Sequence, residues 1–180
     1  GSCPNMGECW SAGTATFMIL GNICTRSCGF CGVKTGRPDQ VDWEEPEKVA
    51  KSIKQMQIKH AVLTSVDRDD LKDMGSIIWA ETINAVRRIA PGVTMETLIP
   101  DFQGEEKIID RIIEAAPEVI SHNMETVKRL TRAVRIQAKY ERSLGVLRYL
   151  KENGKSRTKT GIMLGFGETK EEVFETIRDI

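Results

Sequence analysis

Five short apolar runs, at residues 16–20, 61–66, 93–99, 118–121 and 159–164, are separated by longer stretches whose apolar residues recur at helical spacing. No other feature of the chain limits its fold so much. Strand-length runs alternating with helical stretches are the pattern of successive βα units and a parallel sheet. Between the runs, Val49/Ala50/Ile53, Ile77/Ile78/Ile83/Val86/Ile89 and Ile108/Ile109/Ile112/Ile113/Ala116 each fall on one helix face, and we read those faces as core. The segment after the fourth run reads as two helical pieces, 125–131 and 141–152, the second stopped at Asn153-Gly154 in a left-handed conformation. A last helix opens near Thr169, where Thr169-Lys-Glu-Glu172 has the form of a capping box. In an α/β array of about five parallel units, a site belongs at the carboxyl ends of the strands.

Composition narrows the class of function. With 180 residues, 40% of them hydrophobic and 29% charged, the chain has the make-up of an ordinary globular domain able to bury one sizeable core. Its 26 basic and 26 acidic side chains cancel, which argues against a nucleic-acid partner, since such partners are met by a basic excess. No apolar run approaches the roughly 18 residues that cross a bilayer, and no basic-then-apolar leader opens the chain, so no membrane role is expected and the cytoplasm is the expected compartment. A start at Gly1 and an end at Ile180 within a helical stretch suggest a piece of something longer.

All five cysteines, Cys3, Cys9, Cys24, Cys28 and Cys31, lie in the first 31 residues. An odd count in a chain able to build a core without staples argues for ligation rather than disulfides. Cys24, Cys28 and Cys31 follow the first strand with the spacing Cys-x3-Cys-x2-Cys, and three soft thiolates on one loop suit an iron–sulfur cluster, zinc or copper(I). A structural zinc would need a fourth ligand from Cys3, Cys9, His60 or His122. A [4Fe–4S] cube needs none, because the iron left without a cysteine can bind a small molecule.

The stretch Cys24-Thr-Arg-Ser-Cys28-Gly-Phe-Cys31, with an aromatic residue before the third cysteine, resembles the signature of the radical S-adenosylmethionine (SAM) enzymes. Longer words narrow the resemblance: Cys3-Pro-Asn5, Glu8-Cys9-Trp10, Gly13 to Gly21, Thr64 to Leu71, Glu96-Thr-Leu-Ile-Pro-Asp-Phe102 and His122-Asn-Met-Glu-Thr126 are similar to those of lipoyl synthases, nearly end to end. The resemblance implies a partial (βα)6-type radical SAM barrel over residues 14–180, cut before a sixth unit. It also implies an amino-terminal segment, 1–13, in which Cys3 and Cys9 match two of three cysteines of an auxiliary cluster. The first of those cysteines and a carboxyl-terminal serine ligand have no counterpart here. The cofactors implied are two [4Fe–4S] clusters, the auxiliary one incomplete, and SAM.

Under that resemblance, Asp67, Arg68 and Asp69 after the second strand would receive the amino group of SAM, through charge-assisted hydrogen bonds; read without it, they form a solvated polar turn. Asn123, Glu125 and Arg135 would meet ribose hydroxyls and the methionine carboxylate, although Glu125 can equally be a first-turn acid and Arg135 a surface charge. Gly161 to Glu168, with Gly165 and Glu168 as the site residues, would lie on the fifth strand against adenine, glycine allowing a close approach. His122 reads as a packed histidine. The implied reaction inserts two sulfur atoms at C6 and C8 of an octanoyl-lysine, after hydrogen removal by a 5′-deoxyadenosyl radical. The implied partners are octanoylated lipoyl carrier domains, of 2-oxoacid dehydrogenase E2 subunits or the glycine-cleavage H protein, and an electron donor such as flavodoxin or ferredoxin. Two other readings stand beside it: another radical SAM enzyme, akin to biotin synthase, or a non-catalytic zinc or iron–sulfur module.

Overall fold

The computed structural model describes residues 5–180; Cys3 lies outside them. In chain order the elements are α1 (Met6–Ser11), β1 (Thr14–Ile19), β2 (Ile23–Cys24), β3 (Lys34–Thr35), α2 (Glu45–Gln55), β4 (His60–Ser65), α3 (Ser76–Ile89) and β5 (Thr94–Leu98). A 3-10 turn (Phe102–Gly104), α4 (Glu106–Ala115), β6 (Val119–Ser121), α5 (Lys128–Val134), α6 (Tyr140–Asn153), β7 (Arg157–Lys159) and α7 (Lys170–Asp179) complete them. Strands β1, β4, β5, β6 and β7 pair in that order, all parallel, in one sheet, and β2 and β3 form a separate two-residue parallel pair around the cysteine loop. This is the α/β array of five parallel units that the apolar runs predict, a partial barrel.

The two faces of the sheet differ because side chains alternate along each strand. Ala15 and Ile19 of β1, Ala61 and Leu63 of β4, Met95 of β5 and Ile120 of β6 enter one core with Ile53 of α2, Trp79, Ile83 and Val86 of α3, and Ile109 and Ile112 of α4. Residues between them face the other way. The register aligns Met18, Thr64, Leu98, Ser121 and Lys159 in a row at the carboxyl end. On that face Glu96 accepts from Ser121 Oγ at 2.7 Å and pairs with Lys159 Nζ at 2.8 Å. A face built of Thr, Met, Glu and Lys does not close into a dry core, and the site opens at its end.

Four local expectations are corrected. Strand β7 ends at Lys159, ahead of the apolar run at 162–164, where only an isolated bridge of Ile162 with Glu125 continues the pairing. β7 has one sheet neighbour among the described residues, and Leu164, beyond its end, is 68% exposed. The first helical piece after β6 begins at Lys128, not at residue 125. Glu125 has φ +63°, a left-handed turn that cannot open a helix, so it is not a first-turn acid. Gly154 does follow α6, but at φ −99° and extended. Its role is steric: a Cβ there would stand 2.7 Å from the Leu150 carbonyl. The capping box is present, Thr169 Oγ1 accepting from the Glu172 amide and Glu172 Oε2 from the Thr169 amide.

Candidate active site

A cleft of about 200 Å³ opens at the carboxyl ends of β4, β5 and β6, beside the loop that leaves β2. Its walls include Cys24, Cys28 and Cys31 from the cysteine loop, Thr64, Ser65 and Asp67 at the end of β4, Asp101 after β5, and His122, Asn123, Glu125 and Arg135 after β6. Residues more than a hundred positions apart in the chain thus share one wall because the strands run parallel and all end on the same side.

The three thiols are free and graded in exposure, with Cys24 buried, Cys28 half-buried and Cys31 exposed. The loop carrying them is anchored along its length. Thr25 donates its amide to the Asp67 carbonyl at 3.1 Å, Gly36 bonds the Cys24 carbonyl at 3.0 Å, and Gly29 reaches the Val134 carbonyl at the end of α5 at 2.8 Å. The amides of Arg26 and Asp67 point at Cys24 Sγ from 3.4 and 3.3 Å. Burial, with the nearby Asp67 carboxylate adding to it, pushes the Cys24 and Cys28 thiols up from their ordinary range; at Cys24 the two amides pull the other way. Among the described residues no three His, Cys, Asp or Glu side chains converge tightly enough to enclose one metal ion, which is what a mononuclear zinc site requires. A loop presenting three thiols around an open cleft has the soft donor set for a larger iron–sulfur centre.

The charged groups around the cleft are heavily perturbed. Asp67 is raised to about 6, first by burial and then by Asp69 and Asp101, with Arg26 opposing. Burial also raises Glu125, whose Oε1 accepts from Asn123 Nδ2 at 3.2 Å. Arg135 is buried and donates to the Met124 carbonyl at 3.0 Å and to Ser143 Oγ at 3.2 Å; its desolvation lowers its pKa. His122 is the packed, hydrogen-bonded histidine expected. Its Nδ1 lies 3.0 Å from the Ile99 carbonyl, which can only accept, so Nδ1 carries the proton and Nε2 accepts from the Ser143 hydroxyl at 2.9 Å. Burial lowers His122 to about 4, consistent with that neutral tautomer.

Of the residues the sequence singles out, the structure gathers Cys24, Cys28, Cys31, Asp67, Asn123, Glu125 and Arg135 on this cleft. Arg68 turns away. Its guanidinium pairs with Asp70 at 2.9 Å and reaches the carbonyls of Asp39 and Leu20 on the far side of the turn. Asp69 is occupied by Arg26 and by Gln103. Gly165 and Glu168 do not line the cleft; the Glu168 carboxylate accepts from the Gly165 and Phe166 amides at 2.5 and 2.9 Å, closing its own loop. That loop still touches the cysteines' segment, through a tilted Phe30–Phe166 ring pair at 6.4 Å. Gly161 packs against Asn123, where a Cβ would come within 3.1 Å of the amide oxygen. Cys9 is half-buried on α1. Sequence reasoning missed Arg26 and Asp101, both within the motifs that carry the resemblance, because nothing local marks an ion pair between residues so far apart.

The model of the radical SAM superfamily matches residues 18–180, which include the cysteine loop and every strand from β2 to β7. The chain belongs to the radical SAM superfamily. Among curated relatives of this superfamily member, it is 79% identical over its whole length to a lipoyl synthase of Christiangramia forsetii, covering 61% of that protein. It is likewise 77% identical over its whole length to a mitochondrial lipoyl synthase of Nematostella vectensis, covering 62% of it. The chain thus spans about three fifths of the length of the curated relatives it matches. Solved structures share the fold. Methylornithine synthase superposes with a TM-score of 0.68 at 18% identity, over 91% of this chain and 48% of its own. The [FeFe]-hydrogenase maturase HydG superposes with a TM-score of 0.72 at 13% identity, over 92% and 38%. No helix among the described residues of this radical SAM chain is long and apolar enough to cross a membrane.

Proposed function

We propose that this chain is the radical SAM core of a lipoyl synthase, acting in the cytoplasm on octanoylated lipoyl carrier domains with electrons from a flavodoxin- or ferredoxin-type donor. The observation that carries the reading is the convergence of Cys24, Cys28 and Cys31 with Asp67, Asn123, Glu125 and Arg135 on one cleft, in a chain 79% identical to a curated lipoyl synthase. When bound, a [4Fe–4S] cluster with SAM supplies the radical that removes hydrogen from C6 and C8 of the octanoyl chain, and an auxiliary cluster supplies the two sulfur atoms.

The chain's own residues would do the positioning. The thiolates of Cys24, Cys28 and Cys31 would hold the cluster at the cleft. Asp67, the charged group of its turn that lines the cleft, accepts from the SAM ammonium, while Arg68 and Asp69 support that turn from behind. Arg135 faces the methionine carboxylate, and its two bonds to Met124 and Ser143 leave other N–H groups free to do so. Asn123 and Glu125 meet the ribose hydroxyls. Gly161 to Glu168 flanks adenine from the far side of Asn123, its Gly165 and Glu168 shaping the loop rather than touching the cleft. Cys3 and Cys9, in the segment 1–13, contribute to the auxiliary cluster.

The test is an assay of the full-length protein, reconstituted anaerobically with iron and sulfide and supplied with an octanoylated carrier domain, SAM and a reductant. Lipoylated carrier with methionine and 5′-deoxyadenosine is expected. SAM cleavage without sulfur insertion would instead indicate another radical SAM reaction, of the biotin-synthase kind. Stoichiometric zinc with neither product would indicate a structural module.

A further inference from the structure

Arg26 lies inside the cysteine loop, between Cys24 and Cys28, yet it is only 6% exposed. Its Nε lies 2.6 Å from Asp69 Oδ2 and 3.3 Å from Asp67 Oδ1. Its Nη2 lies 2.7 Å from Asp69 Oδ1 and 2.8 Å from Asp101 Oδ1. Asp101, wholly buried in its side chain, also accepts from the Gln103 amide at 3.0 Å and from Arg142 Nη1 of α6 at 3.1 Å. The Arg26 carbonyl in turn accepts from Thr35 Oγ1 of β3 at 3.0 Å. One residue of the cysteine loop therefore joins the segments after β4 and β5 and, through Asp101, α6.

The clamp bears directly on a ligand position. The two amides aimed at Cys24 Sγ belong to Arg26 itself and to Asp67, one of its carboxylate partners. Asp67 Oδ2 is 3.8 Å from the same sulfur. Hydrogen bonds to the sulfurs and nearby charge are the protein's levers on a cluster's potential, and groups behind the ligands commonly govern retention of the metal. Lysine could supply the charge but not the planar fork that spans Asp69 and Asp101 together.

We infer that Arg26 is the positioning residue of the cysteine loop: its fork sets where Cys24 and Cys28 stand against the ends of β4 and β5, and its charge offsets the carboxylates crowded behind them. The inference rests on the reading that the triplet holds a cluster, and it separates into a geometric part and an electrostatic part. Arg26→Lys tests the first and Arg26→Gln tests both.

The chain and its variants are reconstituted anaerobically, and two quantities are read: the rate of iron loss to a chelator and the midpoint potential of the cluster. In Arg26→Lys, iron loss is expected to be roughly tenfold faster or more, with the potential close to the parent's. In Arg26→Gln, loss is equally fast and the potential shifts downward, because a positive charge that favours the added electron is gone. Parental loss rate and potential in a folded Arg26→Gln would overturn the inference. Should that variant not fold, Asp101→Asn replaces it: it keeps the Arg26 charge but loosens the fork, so loss should accelerate without a downward potential shift, and a parental rate would overturn the inference. Should the parent itself take up no iron, the cluster reading fails separately. The clamp is then read from hydrogen exchange of the Thr25 and Asp67 amides, which Arg26→Lys should speed roughly tenfold if Arg26 holds the loop and leave unchanged if it does not.

Discussion

Behind the cysteine loop, at the ends of β1, β4 and β5, charged side chains find partners from distant segments: Arg26 with Asp67, Asp69 and Asp101, Asp101 with Arg142, and Arg68 with the Asp39 carbonyl. After β7, residues 160–168 bond mainly to themselves, to Glu125 and to Arg129, and leave Leu164 and Phe166 exposed. Both regions follow the carboxyl ends of parallel strands. The first is pre-built, its groups ordered before any ligand arrives; the second has little of its surface tied to the rest of the fold. A loop that keeps three thiols in fixed relation gains from the former.

That contrast sets the scale of mutational effects. The largest is expected at Asp101. Replacing it with alanine leaves the buried Arg26 and the largely buried Arg142 each short of a carboxylate, and should cost about 3–5 kcal/mol in urea unfolding. Asp42→Ala, which breaks the exposed pairing with Lys48 and an exposed hydrogen bond from the Glu44 amide, should cost no more than about 1 kcal/mol. Equal losses would erase the distinction between the regions.

A pH effect of similar size is hidden by opposition. His122 has a folded pKa of about 4 against an ordinary value of 6.5, so the folded state binds fewer protons in that window and stability falls as pH drops through it, by up to about 3 kcal/mol. Arg135, Asp101 and Arg26 face it, and Asp101, held at about 2, titrates below that window. Asp67 acts with the opposite sign. Raised to about 6 from 3.8, it gains stability as pH falls through nearly the same range. The unaltered chain should therefore show a shallow pH dependence of its urea midpoint between pH 6.5 and 4. Asp67→Asn removes the compensation and should expose the full fall; a variant as flat as the parent would show that His122 is not held neutral by burial.

Smaller effects belong to the region after β7. Thr169→Ala breaks the capping box of α7 and should cost about 1 kcal/mol in thermal or urea unfolding. Leu164→Ser, at an exposed side chain, should change stability by no more than about 0.5 kcal/mol. A loss of several kcal/mol from either would mean that this region is bound into the fold as firmly as the cysteine loop.

The same contrast explains what is legible in the sequence. Strands β1, β4 and β5 and helices α2 to α4 declare themselves through apolar side chains at periods of 2 and 3.6, because burial imposes the period locally. The cysteine triplet and the Thr169 capping box are likewise short-range patterns. Arg26–Asp101 and Asp67–Cys24 are not: each joins residues distant in sequence that meet only because parallel strands end side by side. The end of β7 escapes the pattern because Ile162, Met163 and Leu164 are apolar without being buried. Glu125 escapes it because its left-handed turn is set by backbone bonds, its amide to the Gly161 carbonyl and its carbonyl from the Met163 amide, which its side chain does not announce.

If Cys24, Cys28 and Cys31 hold a [4Fe–4S] cluster as proposed, one of its irons stays open for SAM. Electron paramagnetic and electron–nuclear double resonance of the reduced, reconstituted chain, with SAM carrying nitrogen-15 in its amino group, tests it directly. A cluster signal altered by SAM, with a nitrogen coupling that demands contact with the cluster, is expected. A cluster signal indifferent to SAM, with no coupling to the label, would contradict it.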